Sequence, residues 1–261
     1  MTATNEQTAI VDDIQKTIVR MIATSPTGHD LIMIGGFRYR FIDRSVRTSK
    51  DIDYHWSGDL EEKQHELVNL FRKRLLPALR RQFGFDGSAN PATGPDTEST
   101  AVKIVIVSVW KEGVPFSRIE IPVEVTRILH ADQTEIRTVD GAIYPTFSDA
   151  DMAESKLVAV FNRQKMEHRD LVDIFLFGNT LVAESPARLT KKLKSLKISP
   201  LAVQERLNDL EHHAAYHAKA IQAVIDMQLD PDAAKTIKAA DGGAVVLKQA
   251  LATIRNNVRL T

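Results

Sequence analysis

The apolar positions change period several times along the chain, and each change predicts an element. Between Asn5 and Ala23, Ile10, Ile14, Ile18 and Met21 recur every three or four positions among polar residues, which predicts an amphipathic helix. Ser25-Pro26-Thr27-Gly28 ends it. Leu31–Ile34 is a short apolar run cut off by Gly35-Gly36, the pattern of a buried strand entering a turn. A basic, partly aromatic turn follows. Residues 49–56 then alternate as a strand, with Asp51, Asp53 and His55 on one face and Ile52, Tyr54 and Trp56 on the other. Helical spacing returns at Leu60, Leu67, Phe71, Leu75, Leu79 and Phe83, one long helix whose solvent face carries Arg72, Lys73, Arg74, Arg80 and Arg81.

Gly84 to Thr100 is rich in Gly, Pro, Ser and Thr and reads as a flexible loop. Val102–Trp110 and Ser117–Thr126 have period-two alternation and β-branched content, and Lys111–Pro115 joins them as a hairpin. Ile119, Ile121, Val123 and Val125 share one face of the second strand, which leaves Glu120 and Glu124 on the other; Pro122 favours an edge or bulged strand. Residues 127–147 read as short strands or loop. After Ser148 the pattern is helical, with helices over 149–163, 167–179, 187–197, 200–227, 231–240 and 243–258. The chain thus divides into an α/β (α+β) half, residues 1–147, and a helical half, residues 148–261, with no internal repeat.

Bulk properties narrow the function classes. With 261 residues, 43% hydrophobic and 26% charged, the chain can bury a sizeable core. Its formal net charge is zero, so attraction to nucleic acid must come from a local surface. The absence of cysteine excludes disulfides, thiolate metal sites and a cysteine nucleophile. The N-terminal stretch carries acids where a signal peptide is basic, and no apolar run approaches the roughly 20 residues of a membrane span. A soluble, cytoplasmic protein with no membrane partner is expected.

The candidate chemistry lies in Leu31–Trp56. Two acids one residue apart on a strand, faced by a third acid on a neighbouring strand, are a hard oxygen-ligand set suited to Mg²⁺ or Mn²⁺, which keeps positions open for substrate phosphates. Such ions stabilise the attacking and leaving oxygens of an in-line displacement at phosphorus. The backbone N–H groups of Gly35 and Gly36 can approach a triphosphate. Taken singly, Asp-x-Asp is commonly a solvated surface pair and Gly-Gly commonly a turn. The weight comes from the order of strand, Gly-Gly, basic turn, Asp51-Ile52-Asp53, helix, and a later strand bearing Glu120.

That order resembles the nucleotidyltransferase superfamily of DNA polymerase β, although fourteen residues between Gly36 and Asp51 is a long spacing for it. Arg47-Thr48-Ser49-Lys50-Asp51-Ile52-Asp53 resembles the Arg-x-Ser-x-Asp-hydrophobic-Asp signature of the AbiEii/AbiGii toxin family, which includes the MenT-type toxins. A second signature of that family, on helices, is matched by Glu154-Ser155-Lys156-Leu157, Arg163 and Arg169-Asp170-Leu171-Val172-Asp173. The resemblance spans residues 33–175. It implies a polymerase β-like catalytic domain with a mixed sheet, completed by the helical domain.

The resemblance further implies that Asp51 and Asp53 bind the metal with Glu120 as third carboxylate, Glu124 being the alternative. Gly35, Gly36, Arg47, Ser49 and Lys156 would hold the nucleoside triphosphate, and Asp170 would complete the catalytic set. The implied activity is that of a type IV toxin–antitoxin toxin that transfers a nucleoside monophosphate to RNA, with a tRNA 3′ end as acceptor, growth arrest as consequence and a cognate antitoxin as partner. Two rivals are transfer to a protein or to a small molecule such as an antibiotic, and a nucleotide-binding regulator without turnover. Two other clusters stand out. His213 and His217 have metal-ligand spacing but lack a third ligand, and Arg188, Lys191, Lys192, Lys194 and Lys197 form either a solvated face or an RNA contact.

Overall fold

The computed structural model describes residues 5–92, 101–114, 117–128 and 134–259. The expected loop residues 93–100, part of the 111–115 link and part of the 127–147 segment lie outside them. The chain forms two compact units, one of residues up to Ser45 with Ser49–Ile128 and Thr134–Thr146, the other of Val46–Thr48 and the chain from Phe147 onward.

The first unit is built on a seven-stranded mixed sheet of order β3-β4-β5-β2-β1-β7-β6. Its strands are β1 (Ile32–Ile34), β2 (Ile52–His55), β3 (Asp86–Pro91), β4 (Val102–Trp110), β5 (Ile119–Thr126), β6 (Thr134–Val139) and β7 (Ala142–Phe147). β2 runs antiparallel to β1 and parallel to β5, so it lies inside the sheet between two hydrogen-bonded neighbours. Its helices are α1 (Asn5–Ala23), α2 (Gly35–Phe41), α3 (Leu60–Leu70) and α4 (Leu76–Phe83). The core gathers Ile14, Ile18 and Ile22 of α1, Leu67, Phe71, Leu75 and Leu79 of the α3–α4 run, and the apolar face of the sheet, including Ile52, Tyr54, Val105, Val107, Val123 and Val125.

Four elements of this unit differ from the pattern reading. The basic stretch after Gly35-Gly36, expected as a turn, is the helix α2, with Phe37, Tyr39 and Phe41 buried. The long helix is not continuous: Phe71–Leu75 is a π-helical stretch in which the Leu76 N–H donates to Phe71 O. Pro77 supplies the cause, since it has no N–H for the preceding turn and its ring crowds that turn's carbonyl. The helix then ends at Gly84, whose left-handed conformation (φ +70°) caps it. Asp86–Pro91, expected as loop, is β3, an edge strand whose every residue pairs with β4. Finally, β5 is internal rather than an edge; Pro122 is tolerated because β2 pairs only with Val123–Thr126, leaving the chain at Pro122 with β4 alone beside it.

The second unit is helical: α5 (Asp149–Asn162), α6 (His168–Phe177), α7 (Ser185–Ser195), α8 (Pro200–His212), α9 (Ala214–Gln228), α10 (Pro231–Ala239) and α11 (Gly242–Asn257). Ser148 and Ser199 cap α5 and α8 by accepting from the Asp151 and Ala202 N–H groups at 3.1 Å. The span expected as one helix over 200–227 is two, broken at His213, and no glycine or proline marks the break. Its core includes Leu157, Val160, Leu171, Leu189, Leu210, Ile221, Ile225, Val246 and Ile254. Val46–Thr48 is held in this unit by a bridge between Arg47 and Leu229, by Asp230 N donating to Val46 O at 2.8 Å and by Thr48 N donating to Gln228 O at 2.7 Å. No helix among the described residues is long and apolar enough to cross a membrane.

Candidate active site

Three carboxylates meet on the sheet. Ile52 and Tyr54 of β2, and Val123 and Val125 of β5, are buried on one face, which turns Asp53 and Glu124 to the other. The parallel register sets Asp53 directly opposite Glu124. Asp51, just ahead of β2, joins them, and one ligand oxygen from each of Asp51, Asp53 and Glu124 lies within 4.8 Å of the others. All three are half-buried. Three carboxylates this close repel one another, and a hard divalent cation is what relieves that repulsion. The donor set is all oxygen and open to solvent, so the residues fit Mg²⁺ or Mn²⁺.

The neighbouring residues hold this group in place. Ile34 of β1 pairs with Asp53, and Gly35 follows it at φ +75°, a conformation that side chains resist. A methyl group on Gly35 would overlap the Asp53 carboxylate, so glycine is required both for the backbone turn and for the space. Gly36 lies buried in the first turn of α2. The Ser49 hydroxyl donates to Asp51 Oδ1 at 2.5 Å. His55, on the carboxylate side of the alternation, is buried and lies outside the group: its Nδ1 accepts from the Ile128 N–H at 2.9 Å, and burial lowers its pKa.

The expected third carboxylate, Glu120, is not in the group. It pairs across the sheet with Ser108, and its Oε1 accepts from Arg118 Nε at 2.9 Å and from the Ser108 hydroxyl at 3.3 Å. Glu120 and Glu124 share a face, but four residues of strand separate them by roughly 13 Å. The register of β5 against β2 is what selects Glu124.

The other expected residues gather in the helical unit. Lys156 Nζ of α5 lies 2.9 Å from Asp173 Oδ2 and 3.7 Å from Asp170 Oδ1, both on α6. Arg163 Nε lies 3.1 Å from Asp170 Oδ2, and Arg47 forms an ion pair with Asp173. Burial alone would lower the Lys156 pKa, but the Asp173 and Asp170 carboxylates outweigh it and hold the ammonium above its ordinary value. Asp170 and Asp173 are almost fully buried, whereas the Arg163 side chain is 40% exposed. Three cations thus surround two sealed carboxylates, and what solvent reaches is cationic. Asp173 carried no role in the pattern reading, although its i, i+3 spacing from Asp170 was visible.

The two remaining clusters resolve differently from their sequence pattern. Within the basic run, Lys192 is buried, with ion pairs to Asp151 and Glu154, and Arg188 pairs with Glu154, so these two serve the interior rather than a surface. His217 Nδ1 lies 3.0 Å from His168 Nε2, and His213 Nδ1 lies 3.0 Å from Asp209 Oδ1.

A model of the nucleotidyl transferase AbiEii toxin family of type IV toxin–antitoxin systems matches residues 17–240. No curated protein matches the chain. Among solved structures, a candidate nucleotidyltransferase from Helicobacter pylori is similar over 97% of this chain and 98% of its own, with 13% identity and a TM-score of 0.57. JHP933 from Helicobacter pylori covers 97% and 96% with 14% identity and a TM-score of 0.57. The nucleotidyltransferase toxin MenT4 of Mycobacterium tuberculosis H37Rv covers 95% and 93% with 16% identity and a TM-score of 0.51. At these identities the structural likeness speaks to the fold, a mixed sheet with a helical C-terminal region.

Proposed function

This chain belongs to the AbiEii family of type IV toxin–antitoxin nucleotidyltransferases and is itself a nucleotidyltransferase, and from that premise we propose that it transfers a nucleoside monophosphate from an NTP to an RNA hydroxyl in a divalent-metal-dependent reaction. The observation that carries the reading is the convergence of Asp51, Asp53 and Glu124. A tRNA 3′ end as acceptor rests on the resemblance to MenT-type toxins, as does a cognate antitoxin encoded nearby. The cytoplasm, where NTP and RNA are found, is the compartment that suits this chemistry.

Asp51, Asp53 and Glu124 would hold Mg²⁺ or Mn²⁺, which when bound would neutralise phosphate charge and favour the ionised attacking oxygen. Ser49 orients Asp51, and Gly35 leaves room for the Asp53 carboxylate. One of these carboxylates accepts the proton of the acceptor hydroxyl. The hydroxyl oxygen bonds to the α-phosphorus, the bond from that phosphorus to the oxygen bridging the β-phosphate breaks, and the electron pair departs on pyrophosphate. The Gly35-Gly36 backbone would hold the triphosphate, and the family resemblance gives Lys156, kept charged by Asp173 and Asp170, a phosphate-binding role. Asp170 then contributes by holding Lys156 and Arg163 rather than as a metal ligand, and Arg47 contributes through Asp173.

The test is transfer of label from an α-³²P NTP, with Mg²⁺, to total cellular RNA. Labelled RNA with EDTA-sensitive release of pyrophosphate is expected. Label on protein or on a small molecule instead would replace the acceptor, and NTP binding without transfer would replace the activity.

A further inference from the structure

We propose that Gln15 is a positioning residue for the carboxylate group, acting through Ser49 on Asp51. The inference rests on the reading that this group binds a divalent cation. Gln15 interrupts the apolar face of α1 between Ile14 and Ile18, and all three are fully buried. Its Nε2 donates to the Ser49 carbonyl oxygen at 3.0 Å, and the Ser49 hydroxyl in turn donates to Asp51 Oδ1 at 2.5 Å. The orientation of the amide is fixed, because the reverse rotamer would set two acceptor oxygens against each other.

Two features distinguish this link from ordinary packing. First, Gln15 Oε1 has no hydrogen-bond partner among the described residues, and a buried acceptor left so costs about 1–3 kcal/mol. An apolar side chain here would extend the row of Ile14, Ile18 and Ile22 without that cost, so stability alone does not explain a glutamine. Second, Asp51 needs outside support. Asp53 is fixed by pairing with Ile34 on one side and Glu124 on the other, whereas Asp51 precedes the first residue of β2 and has no place in either ladder. The Gln15–Ser49 link supplies what the sheet does not. Gln15 also precedes the residues that the family model matches.

Mn²⁺ binding to the full chain, measured by calorimetry alongside thermal unfolding, tests this for wild type, Gln15→Met, Ser49→Ala and the double variant. Each single variant is expected to bind Mn²⁺ about tenfold more weakly, the scale on which second-layer supports of metal ligands act. The double variant should be no worse than the weaker single, since both break one link. The unfolding temperature of Gln15→Met should not fall. Unchanged Mn²⁺ affinity in Gln15→Met would overturn the inference, as would additive losses in the double variant. A Gln15→Met chain that fails to fold would show that the amide serves the core, which also overturns it. Absence of Mn²⁺ binding in the wild type would instead remove the metal reading on which the proposal stands.

Discussion

Two glutamates four positions apart on one face of one strand have different fates, and that difference is the clearest prediction at the scale of residues. Glu124→Gln should reduce transfer by more than the roughly 10–100-fold that loss of a mere supporting partner costs. Glu120→Gln should leave transfer intact, because Glu120 serves Arg118 and Ser108; steady-state rates of the two variants check both statements. Gly35→Ala is expected to lower the unfolding temperature, since a non-glycine residue at φ +75° costs about 1–2 kcal/mol. It should also displace Asp53 and abolish Mn²⁺ binding, which calorimetry reads directly. Asp51 and Asp53 were legible in the sequence because alternation with Ile52 and Tyr54 assigns them a face. Glu124 over Glu120 was not, since the register between β2 and β5 is written in neither strand. Gln15 was hidden for the opposite reason: a lone polar residue on an apolar helix face has no pattern, and only Ser49, thirty-four residues away, gives it meaning.

At the scale of elements, local chemistry overrode periodicity where backbone donors were missing or neighbours supplied them. Pro77 widens the α3–α4 run into a π-helical stretch, and β4 draws Asp86–Pro91 into a strand despite its weak propensity. The charge run on α7 looked like a surface, but Lys192 neutralises the buried Asp151 and Glu154. Lys192→Met should therefore destabilise the helical unit by about 3–5 kcal/mol, because the buried Asp151 and Glu154 both lose the ammonium that pairs with them; urea unfolding measures it. Histidines give the fold a pH dependence of definite sign. His55 is lowered by burial, offset in part by a hydrogen bond that its ring donates to the Thr126 backbone, and His168 is lowered by burial and by His217. A histidine with a depressed folded pKa contributes fully above the unfolded value of about 6.5 and loses that contribution as pH falls below it. Stability should decline as pH falls below about 6.5, and His55→Asn, which keeps an acceptor for the Ile128 N–H, should flatten the decline in thermal unfolding.

For the whole molecule, net charge of zero said nothing of where charge would gather. The structure concentrates it: three acids on the sheet of one unit, and two sealed acids among Lys156, Arg163 and Arg47 in the other. The class of fold was legible because strand and helix periods segregate along the chain, whereas the placement of Val46–Thr48 with the helical unit depends on Gln228, Leu229 and Asp230, far away in sequence. The central claim is that the carboxylate group performs nucleotide transfer. It is tested most directly by comparing wild type with Asp51→Asn for transfer of α-labelled NTP to RNA, with folding of both verified by thermal unfolding. The account predicts labelled RNA from the wild type and none above background from a folded Asp51→Asn chain, whose stability should not fall because local repulsion is relieved. Labelling by Asp51→Asn at the wild-type rate would contradict it.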